Sequence, residues 1–222
     1  MLAPHADDEV LGAGGWICRA AASGWSVHVL FATISGFRSV PRGDHPETPA
    51  RVAEAEAALA AMGASGYDAL FLGEEKHLKL DTVPRTEITA FVERGLEQHR
   101  PSVVILPTRA HYHQDHRALA EAAIAALRPM PSGRLPMVPL VLAYGHTAAG
   151  WGGGGYQFQP SAFADITGFI DQKLAALACY TSQLCAPPHP RSLDGMRAHA
   201  AAWGAYAGCA YAEPFECLRL VL

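Results

Sequence analysis

Two short segments carry side chains whose types and spacing suit metal-assisted hydrolysis. Pro4-His5-Ala6-Asp7-Asp8-Glu9 gathers one imidazole and three carboxylates, and His111-Tyr112-His113-Gln114-Asp115-His116 gathers three imidazoles and a carboxylate. A hydrolytic first-row metal needs three protein ligands and an open position, and neutral imidazoles with one carboxylate are an ordinary zinc set. His5 and Asp8, three apart in a turn, can converge on one ion, and His116 can supply the third ligand. Asp7 then stands beside a ligand without being one, where a general base would take a proton from activated water. His113, three residues before His116, shares its face in a helical turn and can reach the substrate side. Capping is the rival explanation: acids at a helix N-terminus favour the macrodipole by about 0.3–1 kcal/mol each, and Asp115 can cap a helix beginning at His116. Capping accounts for the acids but not for His5, His113 and His116, and the metal reading is preferred on that ground.

Strand-like apolar runs alternate with stretches of period 3.6 through the first 145 residues or so, the rhythm of a parallel sheet. Strands are expected at Val27–Thr33, Ala69–Leu72, Val103–Pro107 and Leu140–Tyr144, with a stub at Met1–Ala3 that is either short or missing residues upstream. Helices are expected near Val10–Ala22, Pro49–Met62, Val83–His99 and His116–Leu127, then from Thr167 to Leu184 and from Leu193 to Tyr206, before a last strand at Phe215–Val221. The fold class is α/β, a Rossmann-like layered sheet, mostly parallel, with helices on both faces, in one domain over 1–222. Both motifs follow strands, and in open α/β sheets the functional crevice lies beyond the strands' carboxyl ends. The Gly-rich segment 145–156, with Trp151 and Tyr156, has the composition of a lid that lays an aromatic face on a sugar ring.

The pairing of PHADDE and its Gly-rich continuation Val10–Gly15 with the later HQDH resembles the PIG-L/LmbE-like family of zinc-dependent N-acetylglucosamine deacetylases. Arg51–Gly63 is similar to that family's Arg- and Glu-bearing helix, and Lys173 through Ser182-Gln183 to its late Lys…Ser-Gln element; Ala6 stands where the family usually has proline. The resemblance implies one Zn2+ per chain held by His5, Asp8 and His116, with Asp7 as general base. It also implies that His113 steadies an oxyanion or protonates the amine, as an imidazolium oriented by Asp115. The implied substrate is a small-molecule N-acyl amino sugar or glycoside. Ligand types alone do not separate zinc from iron or cobalt. A metal-dependent esterase or phosphoesterase is the alternative chemistry, and a non-catalytic sugar-binding protein the alternative class; Asp7 speaks against the latter, which needs no base.

Composition narrows the rest. Half the residues are apolar and 17% charged, which excludes a disordered polar chain. The formal charge of -4 comes without a basic block, so nucleic acid is not an expected partner. Val138–Ala143 and Leu174–Cys179 are too short to span a bilayer, and a start bearing His5 and three acids is no signal peptide, so a cytoplasmic location is expected. Cysteines 18, 179, 185, 209 and 217 form no C-x-x-C pair and are expected to pack as small hydrophobes. The spacing Gly12-Ala-Gly14-Gly15 does not complete a dinucleotide fingerprint, and Gly14 and Gly15 are expected to permit close helix packing. Arg51 opens a helix beyond the second strand, where it can bind a substrate hydroxyl or anion or pair with Glu54 or Glu47. His45, after the second strand, could line the pocket but is read as polar loop surface, and His146 shows no partner spacing. Subunit number, as monomer or homo-oligomer, stays open.

Overall fold

The computed structural model describes residues 1–36, 47–73, 75–129, 133, 135–146 and 157–222. The expected lid, apart from Gly145 and His146, lies outside the described residues, as does His45. The chain runs β1 (Leu2–His5), α1 (Asp8–Ala22), β2 (His28–Ile34), α2 (Thr48–Met62), β3 (Gly66–Leu72), a 3-10 turn at Leu80–Thr82, α3 (Arg85–His99), β4 (Val103–Pro107), α4 (Gln114–Ala126) and β5 (Leu140–Tyr144). It ends with β6 (Ala162–Asp165), α5 (Ile170–Ala178), α6 (Leu193–Ala207) and β7 (Ala212–Leu220).

β1, β2 and β3 pair in parallel in that order, and β4 pairs in parallel with β5. β7 then runs antiparallel between β5 and β6, and β1 lies alongside β4. The stub strand is genuine: Leu2, Ala3 and His5 stand in register with Leu30, Phe31 and Thr33. Burial on both faces explains the nearly unbroken apolar runs in the strands. Ala3, Val29 and Phe31 join the core beneath α1, α2, α5 and α6, whereas Leu2, Leu30 and Ala32 join the core beneath α3 and α4.

α1 is broken at Ala13, whose φ and ψ of -148° and 19° interrupt the helix. The break frees backbone donors, and Glu213 of β7 accepts from Gly15 N–H at 2.8 Å and Trp16 N–H at 2.7 Å. Buried Lys173 balances that carboxylate, its Nζ 2.6 Å from Glu213 Oε1. A cation opposite a buried carboxylate that also accepts two N–H groups is the arrangement such a charge requires.

Several element boundaries differ from expectation. α5 stops at Ala178 and not at Leu184, because Thr181 and Ser182 turn aside to bond Glu54 of α2 at 2.7–2.9 Å. β6 is an additional strand, and pairing with it draws the start of β7 back to Ala212. Among the described residues no helix is long and apolar enough to cross a membrane.

Candidate functional site

The two motifs meet at the carboxyl ends of the parallel strands. His5 ends β1, and the segment 111–116 leads from the loop after β4 into the first turn of α4. His5 Nδ1 and His116 Nε2 each lie 3.2 Å from the same oxygen, Asp8 Oδ2. Asp8 is fully buried; its Oδ1 and the Nδ1 of His116 have no hydrogen-bond partner among the described residues. Buried polar atoms are seldom left so. Donor atoms of His5, Asp8 and His116 all lie within 4.8 Å of one another, so these residues fit a divalent transition metal by chemistry and by convergence.

The turn between His5 and Asp8 is tightly fixed. Asp7 is 3% exposed and adopts φ 127°, a left-handed conformation that costs a non-glycine residue about 1–3 kcal/mol. Its N–H donates to Glu9 Oε2 at 3.0 Å, and its carbonyl accepts from Val10 and Leu11. Arg51 is buried and braces the same turn, donating to Ala6 O; it also donates to Glu54 Oε2 at 2.6 Å and Ser182 Oγ at 3.2 Å. Its pairing is therefore with Glu54, in a buried and not a solvated position. Tyr180 O–H donates to Glu9 Oε1 at 2.5 Å. Burial pushes the Glu9 carboxyl up to about 8, against the lowering by Tyr180 and the Asp7 N–H. Burial likewise raises Asp7, countered by Arg191, whose Nη1 lies 3.2 Å from Asp7 Oδ2.

The carboxylate of Asp115 is not directed at His113 as the resemblance implied. Its Oδ2 lies 2.9 Å from His5 Nε2, and its Oδ1 accepts from Leu80 N–H at 3.0 Å. Burial opposes charge on His5, but its hydrogen bonds with Asp115 and Asp8 outweigh this and push the imidazole up to about 9. Burial would also raise Asp8, yet His116 and His5 hold it well below the usual carboxylate range. His113 receives only the backbone of Asp115, whose N–H donates to its Nδ1 at 3.1 Å. That bond assigns the proton of neutral His113 to Nε2. Burial, reinforced by His5 and His116, lowers His113 to about 4, a direction that favours the neutral ring over the imidazolium.

Three further histidines stand in the same crevice: His111 of the second motif, and His77 and His146, which are unremarkable by spacing. His111 accepts the His113 N–H on Nδ1 at 3.1 Å, which leaves its Nε2–H for His146 Nε2 at 3.0 Å. The His111 ring stacks on His116 with centroids 3.9 Å apart, and His146 Nε2 lies 3.6 Å from Asp8 Oδ1. His77 packs edge-on against His5 at 4.9 Å. Burial, with neighbouring imidazoles, lowers His111 to about 2 and both His77 and His146 to about 3. His146 follows β5 by two residues, so the strand-end rule applied to that strand would have found it.

Comparison with known proteins finds relatives of the whole chain. The family described as PIG-L, GlcNAc-PI de-N-acetylase, matches residues 1–127. The chain is 27% identical over 190 residues to the probable N-acetyl-alpha-D-glucosaminyl L-malate deacetylase 2 of Bacillus cereus, covering 82% of each. It is 26% identical over 223 residues to the diacetylchitobiose deacetylase of Thermococcus kodakarensis, covering 96% of this chain and 79% of that one. A conserved protein of Thermus thermophilus of solved structure superposes with a TM-score of 0.77 at 32% identity, over 100% of this chain and 94% of the other.

Proposed function

We propose, from the premise that this chain belongs to the PIG-L family, that it is a metal-dependent deacetylase removing the N-acetyl group of an amino sugar or its conjugate. The observation that carries the metal dependence is the convergence of His5 Nδ1 and His116 Nε2 on one oxygen of a fully buried Asp8. His5 would bind through Nδ1, since its Nε2 is committed to Asp115, the carboxylate-to-histidine support common behind metal ligands. Zinc held there supplies a Lewis acid that acidifies water, from a pKa of about 16 to about 7, and polarises an acyl oxygen.

The protein's own groups do the proton work. Asp7 accepts a proton from the attacking water, and its burial strengthens it as a base. Arg191 fixes one of its oxygens. Neutral His113 offers Nε2–H to the acyl oxygen as negative charge develops on it, a donor already oriented by its Nδ1 bond. The proton on Asp7 passes to the leaving nitrogen as the C–N bond breaks, so acetate and a free amine leave. Arg51 holds the Ala6 carbonyl and so keeps Asp7 and Asp8 in place.

The test is incubation with N-acetylglucosamine glycosides, with free amine detected in the presence and absence of a chelator, alongside an aryl phosphate. Amine release that the chelator abolishes is expected. Phosphate release without amine release overturns the deacetylase reading and leaves the phosphoesterase.

A further inference from the structure

A second cluster of metal-ligand type lies at the opposite end of the sheet. His28 opens β2, and Asp68 stands in β3 in register with Leu30, so both side chains lie on the sheet face covered by α3. His99 ends α3, three residues after Leu96 and seven after Val92, both of which pack in that core. That spacing keeps His99 on the helix face turned to the sheet.

His28 Nε2 lies 2.9 Å from Asp68 Oδ2, and His99 Nε2 lies 3.6 Å from the same oxygen. The imidazole rings stack with centroids 3.9 Å apart, and the three donor atoms all fall within 4.8 Å of one another. Protons use this arrangement poorly. One Nε2–H can donate to Asp68 at 2.9 Å, but the other, at 3.6 Å, is beyond hydrogen-bonding range. Charging both rings would set two cations face to face. A divalent ion needs neither proton: it takes one lone pair from each Nε2 and one carboxylate oxygen, with positions left for water. The three side chains are 22%, 45% and 28% exposed for His28, Asp68 and His99, open enough for an ion to enter from solvent.

We propose that His28, Asp68 and His99 form a peripheral binding site for a divalent transition-metal cation of the zinc class, separate from the candidate active site. It lies about 17 Å away along β2, five residues at about 3.3 Å each. Two imidazoles with one carboxylate favour zinc, copper or nickel over magnesium or calcium. Two strands and a helix end carry the ligands, and a bound ion fastens the last turn of α3 to the sheet.

The test is equilibrium dialysis of the whole chain against micromolar zinc, with metal per chain measured for the wild type, His28→Gln and His99→Gln. One equivalent more in the wild type than in either variant is expected, whatever the active site retains, so the outcome is independent of the deacetylase reading. Equal zinc content overturns the site. Should a variant fold poorly, side-chain NMR of the wild type decides instead: zinc must shift the ring resonances of His28 and His99, and unmoved resonances under saturating zinc overturn the proposal.

Discussion

Asp7 and Asp8 are sequence neighbours with different environments, and the roles proposed for them separate on that basis. Asp8 faces two imidazoles and is held ionised, as a ligand must be, whereas Asp7 faces Arg191 and is raised by burial, as a base should be. Asp7→Ala is therefore expected to keep its metal and to lose at least about 10²-fold in rate. Elemental analysis beside kcat checks this, and metal loss with Asp7→Ala would exchange the two roles. His116→Ala is expected to lose the active-site metal. His5 gives a pH dependence with a definite sign. Its imidazole, ordinarily near 6.5, is raised to about 9 in the metal-free fold by Asp115 and Asp8 against burial. A raised histidine stabilises the fold fully below 6.5 and loses that contribution as pH climbs through 9. Chelated protein should accordingly become less stable to urea from pH 6.5 to 9, while zinc affinity rises over the same window, because Nδ1 must shed its proton to bind. Flat urea midpoints across that range would mean that His5 is not charged between the two carboxylates.

At the scale of elements, the broken α1 decides how closely the acidic turn approaches β5. A Cβ on Gly12 would come 2.1 Å from Cδ2 of Tyr144, a ring only 1% exposed. Gly12→Ala must displace Tyr144, two residues before His146, and should cost about 1–3 kcal/mol in a urea titration along with part of kcat/KM. An unchanged midpoint would show that the ring yields freely. The sequence pattern already contained both motifs, the parallel strands and most helices, because those features are local: apolar period, terminating Gly and Pro, and ligands clustered within six residues. What it did not contain is set by tertiary contact. Expected glycine-mediated packing of α1 is present, but at Gly12 and Gly15 more acutely than at Gly14, whose nearest neighbours would stand at 3.1 Å or more. α5 ends early because Ser182 is claimed by Glu54, a residue 128 positions away. β6 is four residues, three half-buried and the last exposed, too short to assert a period of its own. The partner of Asp115 could not be read from spacing either: His113 is two residues away and His5 is 110, yet the carboxylate bonds the distant ring.

The segments that carry the proposed ligands lie on both sides of a seam. His5 and Asp8 come from the β1–α1 turn of the three-stranded sheet, whereas His116 comes from α4, after the first strand of the four-stranded one. β1 and β4 lie alongside each other without forming a hydrogen-bonded ladder, joined by a core that Leu2 shares with Val104 and Leu106. An ion shared by these ligands would tie the two sheets together, and binding to the folded state alone contributes stability by mass action, about 4 kcal/mol at a free concentration a thousand times Kd. For a chain of this length each kcal/mol moves Tm by about 2–4 °C, so chelation should lower Tm by about 8–16 °C. The His99→Gln variant, in which the peripheral site is removed, should show most of the same drop, while Asp8→Ala should show little. If instead Asp8→Ala retains the full chelator response and His99→Gln loses it, the stabilising ion sits at the far end of the sheet and the seam is held by protein contacts alone.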